Sequence, residues 1–432
     1  ASGSRDLNGD GKPDLVVTST LASSGTNQAS VFLNSGDGTF AGHTDYSTGQ
    51  LPGALSFSDV NGDNVDDIAV ANRTDNSISI LPGNGDGTFL ARQDFATGTS
   101  PQSIAAGDLN GDGPADLVTA NNLAEGTLSI LLNAGNGSFP AHTELSAGPY
   151  PGTVAVQDLN GDGKLDLAVS YAQTNGLGAM LVSVFLGQGD GTFQSRVDYP
   201  LGGTPTSAVV GISDVNGDGK PDLVAVRSDQ VTSVFLGNGD GSFQPAVANP
   251  GIAQAATVGF GDLNGDGKQD LVVAGNAFAG ASGVGLFSGN GNGTFQAPSR
   301  PLLFPIASAT VADFNDDGAL DVSTASGGAV IILPNTGGSQ VALTSSKNPS
   351  RVGQRVTFTA QIEPTFDLTA PSGLVQFLDG DQVIGSGSVT NGQAAFSTEA
   401  LSSGRHSIRA NYLGDDTFVP RLSPITLQRV RR

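Results

Sequence analysis

Apolar residues along this chain gather into short runs separated by polar, glycine-rich loops. "DLVVTST" from Asp14, "DIAVANR" from Asp67 and "DLVVAGN" from Asp270 predict strands buried on both faces. Behind most such runs come a second apolar segment and a glycine turn ending in Phe. These are "VFLNSGDGTF" to Phe40, "ILPGNGDGTF" to Phe89, "LLNAGNGSF" to Phe139, "VFLGQGDGTF" to Phe193, "VFLGNGDGSF" to Phe243 and "LFSGNGNGTF" to Phe295. A seventh, "IILPNTGG", lacks the Phe. A short polar strand such as "TDYSTG" follows, then often a Gly-x-x-Pro turn (Gly49 to Pro52, Gly98 to Pro101, Gly202 to Pro205), then an apolar strand such as "SIAAGD". The pattern predicts four strands per repeat. No helical pattern comes after the glycine turns, so they read as hairpins and not as phosphate loops.

Each buried run is entered through a loop of fixed grammar. In the first copy Asp6, Asn8, Asp10, Lys12 and Asp14 occupy positions one, three, five, seven and nine, with Gly11 at position six. The second holds Asp59, Asn61, Asp63, Val65 and Asp67; the third Asp108, Asn110, Asp112, Pro114 and Asp116. The fourth holds Asp158, Asn160, Asp162, Lys164 and Asp166; the fifth Asp214, Asn216, Asp218, Lys220 and Asp222. The sixth holds Asp262, Asn264, Asp266, Lys268 and Asp270, and the seventh Asp313, Asn315, Asp317, Ala319 and Asp321. Hard oxygen ligands on alternate residues of a tight turn are the grammar of a calcium loop. Position seven shares no side-chain chemistry, as expected of a ligand that acts through its backbone carbonyl. Where position six is not Gly it is Asn64, the substitute that best tolerates positive φ. The expectation is up to seven Ca²⁺ ions.

The residues after each loop select the architecture. An EF-hand would carry Glu at position twelve and continue as a helix. Here position twelve is Val17, Val70, Thr119, Val169, Ala225, Val273 or Thr324, inside predicted strands. A helical dockerin fails on the same ground. Calcium β-rolls repeat every nine residues, whereas these loops start 48 to 56 residues apart by subtraction of their first positions. About fifty residues is one blade of a β-propeller. On these motifs residues 1–338 resemble the FG-GAP and VCBS repeats, the calcium-loop propeller blades also found in integrin α-subunit heads and some fungal lectins. The resemblance implies that the first strand of each blade lines a central channel and that the loops crowd one face. The paired Phe-Gly and Gly-Ala-Pro signatures of the integrin version do not both appear.

The expected fold is all-β: a seven-bladed propeller followed by a β-sandwich. "ASGS" directly precedes the first loop, so blade one is expected to lack its innermost strand, and blade seven its outermost. The chain, which does not begin with Met, is expected to have been trimmed, and a longer natural protein of eight blades or more is the alternative to seven. From Ser339 the composition changes. "NPSRVGQRVTFTA" and "IRANYLGDDTF" within residues 339–432 resemble bacterial immunoglobulin-like repeats of secreted and surface proteins. With no Cys, the two sheets of that domain must be held by packing.

Charge changes the picture of partners. The chain carries a net −22, yet residues 341–432 hold nine basic and seven acidic residues, leaving 10 basic and 34 acidic in the repeats. Loop aspartates supply 21 of those 34. The acidity is therefore mostly a metal requirement, and it argues against nucleic acid. No apolar run is long enough for a membrane span. Calcium sites of extracellular type bind at about 10⁻⁴ to 10⁻³ M, so a secreted or cell-surface location is expected.

No catalytic motif emerges. His43 and His142 lie at equivalent strand-surface positions and His406 in a strand of the second domain. Glu125 and Glu144 look isolated, and Asp66 and Asp316 look solvated. Tyr46, Phe95, Tyr150 and Tyr199 recur near the blade edge, where packing on a neighbouring blade competes with sugar stacking. The insertion "YAQTNGLGAMLV" in blade four is a candidate recognition loop. The preferred expectation is a non-catalytic extracellular module for adhesion or for binding a protein or glycan ligand. A lectin-like part of a larger secreted enzyme and a polysaccharide-degrading propeller are the alternatives.

Overall fold

In the computed structural model the described residues are 1–20, 25–172, 180–203, 205–276, 282–297, 302–303, 308–326, 329–335, 339–364, 371–380, 382–415, 418 and 420–432. The insertion predicted in blade four falls largely at 173–179, outside them. Every regular element among the described residues is a strand.

The repeat region forms antiparallel sheets whose strands pair in sequence order. Blade one comprises Ser2–Arg5, Asp14–Thr20, Asn27–Asn34 and Phe40–Ser47. Blade two comprises Pro52–Ser58, Asp67–Asn72, Ser77–Leu81 and Gln93–Ala96. Blades three to six repeat that plan, beginning at Pro101, Pro151, Ala208 and Ala255. The last sheet holds Ser308–Ala312, Asp321–Ser326 and Ala329–Leu333. The expectation for blade one is corrected: Ser2–Arg5 is its innermost strand, paired with Asp14–Val17. Four residues suffice there, whereas the first strands of the other blades run to five to seven. Blade seven has three strands among the described residues, as its sequence suggested.

Second strands are apolar on both faces because each lies between two neighbouring blades. Asp67–Asn72, Asp116–Asn121 and Asp222–Arg227 are buried along their whole length. The repeat Phe fills the core of the blade before it. Phe89 packs with Leu7, Val16 and Val31, and Phe139 with Val60, Ile78 and Ile80. Tyr46, Phe95 and Tyr199 seat these rings edge-on, at centroid distances of 5.4 Å to Phe89, 5.2 Å to Phe139 and 5.5 Å to Phe243. The Tyr46 and Tyr199 hydroxyls also accept the Phe89 and Phe243 amides. These three aromatics therefore belong to inter-blade packing.

First strands of adjacent blades contact one another around the axis. Hydroxyls join their edges: the Val154 amide donates to Ser103 Oγ (3.2 Å), Val210 to Thr153 Oγ1 (2.8 Å) and Ala309 to Thr257 Oγ1 (3.0 Å). The first and last sheets meet in the same way. Ser4 Oγ lies 3.0 Å from Thr310 Oγ1, Asn34 Nδ2 donates to the Phe314 carbonyl at 2.9 Å, and Phe40 packs on Phe314. Thr153→Val keeps the shape but strands the Val210 amide. It is expected to cost about 1–3 kcal/mol in urea unfolding, and a variant as stable as the parent would show the bond to be dispensable.

The C-terminal sandwich faces a three-stranded sheet (Ser339–Ser345, Val356–Pro364, Gln393–Thr398) with a second sheet built on Gly404–Tyr412, Leu374–Asp379, Gln382–Ser388 and Thr426–Arg431. Phe358, Phe377, Ile408 and Tyr412 fill the space between. His406 is nearly buried, bridging the Asp379 carboxylate (2.5 Å) and the Ser402 carbonyl (2.9 Å). Desolvation lowers its pKa, but the Ser402 carbonyl and Asp379 together outweigh it and the net shift is upward. A raised folded-state pKa gives stability that is full below the ordinary histidine range and is lost as pH rises through the folded value. The sandwich is thus expected to unfold at lower urea at pH 8.5 than at pH 5.5, and His406→Gln to flatten that dependence.

Candidate metal centres on one face of the propeller

Every Asp loop links a first strand to a second strand. Because the first strands run side by side around the axis, all seven loops fall on one face. Local Asx turns shape them. The position-six amide donates to position-one Oδ2 in all seven copies, at 2.7–2.9 Å. Position-three Asn Oδ1 accepts the position-five amide at 2.8–3.0 Å, again in all seven. Position-five Oδ1 accepts the position-seven amide in six copies. The exception is Pro114, which has no amide to give; there Asn110 Nδ2 donates to Asp112 instead. Position six is left-handed throughout, with φ from 65° at Asn64 to 106° at Gly113, which is why Gly or Asn is required.

Position nine behaves differently. Asp14, Asp116, Asp166, Asp222, Asp270 and Asp321 are fully buried and Asp67 almost so. One oxygen of each accepts the position-two amide of its own loop at 2.9–3.0 Å. The other accepts an amide at the start of the glycine turn, from Asn34, Gly83, Asn133, Gly187, Gly237, Gly289 or Asn335. Burial pushes these carboxyls up against the lowering effect of the amides, and the aspartates at positions five and one add to the rise. Asp67 reaches about 6 and Asp270 about 7. Position nine is therefore near enough to feel positions one and five, while both its oxygens are held by amides. Among the described residues no group of three or more His, Cys, Asp or Glu side chains converges tightly enough to hold a metal. What the loops do bring together is the hard-oxygen set of positions one, three and five, beside a position-seven carbonyl to which no described amide donates. That donor set fits a calcium-type cation.

The loops also latch the ring, a role the sequence did not reveal. The position-two carbonyl accepts from the glycine turn of the next blade: Gly87 to Leu7 (3.0 Å), Asn133 Nδ2 to Val60 (2.5 Å), Gly191 to Leu109 (3.0 Å) and Gly293 to Val215 (3.3 Å). The same residue thus ties its own Asp with its amide and the neighbouring blade with its carbonyl.

Other candidates resolve into structural pairs. Asp66 is not merely solvated: it takes Arg5 of blade one at 2.5 Å. Glu144 is not isolated either, since it accepts the Ser129 hydroxyl (2.8 Å) and pairs with His142 (3.1 Å). His43 with Asp45, Arg92 with Asp94 and Arg196 with Asp198 repeat that arrangement. In the Ser129, Glu144 and His142 set the hydroxyl donates to the carboxylate, so the geometry lacks the nucleophile-to-base bond of a triad. Arg at the equivalent position marks it as charge pairing. Glu125 and Asp316 are exposed, the latter at φ 56° where the other copies carry Gly.

The fold and its loops define a β-propeller with an Asp-rich loop in each blade, followed by a sandwich domain. Residues 6–70, 59–119, 115–169, 171–225, 214–273 and 262–324 match the FG-GAP-like repeat, and residues 343–430 match the bacterial Ig-like domain (group 3). The protein belongs to the FG-GAP-like repeat family. No curated protein matches the chain. Among solved structures it is similar to the BP39L lectin from Burkholderia pseudomallei, at 17% identity and a TM-score of 0.56 over 77% of this chain and 93% of that one. It is also similar to BBS1N in a complex with ARL6DN, at 14% identity and a TM-score of 0.47 over 77% and 90%. Among the described residues no helix is long and apolar enough to cross a membrane.

Proposed function

We propose that this protein is a non-catalytic extracellular binding module whose seven Asp loops take up calcium to stiffen the ring, leaving the opposite face and the rim for a protein or glycan ligand. The observation that carries this reading is the sevenfold loop, an Asx-turned set of oxygens against a buried aspartate, whose position-two carbonyl is latched to the next blade in six copies. Asp, Asn and carbonyl oxygens at positions one, three, five and seven would hold the ion, whose charge offsets the crowded carboxylates. Position nine fixes the loop to its sheet, and the second lone pairs on its oxygens remain for the cation. At an affinity of about 0.1 mM and about 2 mM free calcium, each site would add roughly 1.8 kcal/mol.

The absence of a nucleophile-to-base bond in the Ser, Glu and His set favours binding over catalysis. A location outside the cell follows from weak sites of this type, which fill only where calcium is abundant. The test is a glycan-array screen and a pull-down with the calcium-loaded chain against a chelated control. Calcium-dependent capture of a ligand without turnover is expected. Turnover of a polysaccharide would overturn the reading.

A further inference from the structure

The propeller axis opens, on the face away from the Asp loops, into a cavity of about 790 Å³. Blades two to five supply Arg73, Gln102, Asn122, Tyr150, Thr153 and Thr206 to its wall, and small residues such as Gly53, Gly152 and Ala208 keep it wide. We propose that this axial mouth binds a sugar bearing a carboxylate; the proposal deepens the binding-module reading and rests on it.

Three observations converge. The first is charge. In a chain with 41 acidic residues, no Asp or Glu lines the mouth among the described residues. Arg73 is exposed there without an acidic partner among the described residues, whereas the other described arginines of the repeats, Arg5, Arg92, Arg196 and Arg227, each pair with an aspartate. A free guanidinium is a fork for one carboxylate. The loop aspartates lie a strand length away, roughly 20 Å, well beyond the screening length of about 8 Å at physiological salt.

The second is Tyr150. It is half-buried at the mouth in a left-handed conformation, φ 53°, and its ring meets no other ring or cation among the described residues. Leu51, Ser100 and Gln254 share that bend at the equivalent position, so the bend belongs to the fold and the ring is particular to blade four. Tyr46, Phe95 and Tyr199 are consumed by inter-blade packing; Tyr150 is not. An aromatic face beside a cation suits the C–H face of a sugar ring whose carboxylate meets the guanidinium. The third is size and lining. The volume matches a ligand of one or two rings, and the exposed Gln102 amide and the Thr206 hydroxyl offer partners for sugar hydroxyls.

Titration calorimetry of the calcium-loaded full chain with digalacturonate and with sialyllactose separates the two sources of such an acid. At least one is expected to bind, and its methyl ester at least tenfold more weakly. Arg73→Ala and Tyr150→Gly are each expected to weaken binding at least tenfold. Because glycine relieves the positive φ, Tyr150→Gly keeps or raises the melting temperature, so lost affinity cannot be lost folding. An ester that binds as well as the acid, either variant binding like the parent, binding of a peptide C-terminus in place of both sugars, or no binding of either acid overturns the proposal. A neutral glycan or protein captured in the wider screen would still leave the binding-module reading standing.

Discussion

Chelating calcium is expected to lower the melting temperature of the repeat domain by about 10–20 °C and to leave the sandwich transition in place. The size follows from seven loops at roughly 1.8 kcal/mol each, set against an unfolding entropy that scales with a repeat region of roughly 330 residues. The sign follows from the carboxylates. Without an ion, positions one and five act on a buried position nine whose charge is already disfavoured by desolvation. The second domain carries none of the loops and is an internal control in the same scan. Calorimetry at 2 mM calcium and in excess EGTA decides the matter. A repeat transition that does not move between the two would remove calcium from the account, whereas a shift of both domains together would point to a non-specific salt effect.

Much of this architecture was legible because each repeat carries its own punctuation. The Asp loop fixes the turn between the first two strands, and the Phe fixes the turn between the last two. Asn64 at φ 65° appears where the loop grammar demands a left-handed residue. What escaped the sequence are relations between blades. "ASGSR" has too little apolar character to announce a strand, yet Ser2–Arg5 closes the inner ring because its partner Asp14–Val17 and the last blade are already in place. Ser103, Thr153 and Thr257 look like ordinary strand hydroxyls until the edge amides of the following blade are set beside them. Likewise Glu144 looks alone in the sequence because its partners lie on a neighbouring strand and two residues away. Tyr150 and Tyr199 occupy similar-looking polar stretches, and only the backbone bend sends one to the axis and the other to the next blade. The Asx-turned loops themselves were legible as spacing. The divided role of position nine was not, because spacing does not say which amides a carboxylate will meet.

That divided role yields the sharpest contrast among single substitutions. Asp166→Ala in blade four removes a fully buried carboxylate that accepts the Leu159 amide at 2.9 Å and the Gly187 amide at 2.7 Å. Two donors lose their partner, and leaving a buried donor unpaired costs about 1–3 kcal/mol each. The expected loss is therefore about 3–5 kcal/mol, present with or without calcium. Asp162→Ala, one position-five residue in the same exposed loop, breaks only a local Asx turn to Lys164 and one ligand. Its loss should be about 1–2 kcal/mol in calcium and close to zero in EGTA. Asp166→Asn is intermediate, because one oxygen still accepts while the new Nδ2 faces an amide that also donates. Urea unfolding of the three variants under both conditions separates the roles. Equal calcium dependence for Asp166→Ala and Asp162→Ala would make position nine chiefly a ligand, whereas a calcium-independent loss at Asp166 would make it the pin that holds loop, turn and sheet together before any ion arrives.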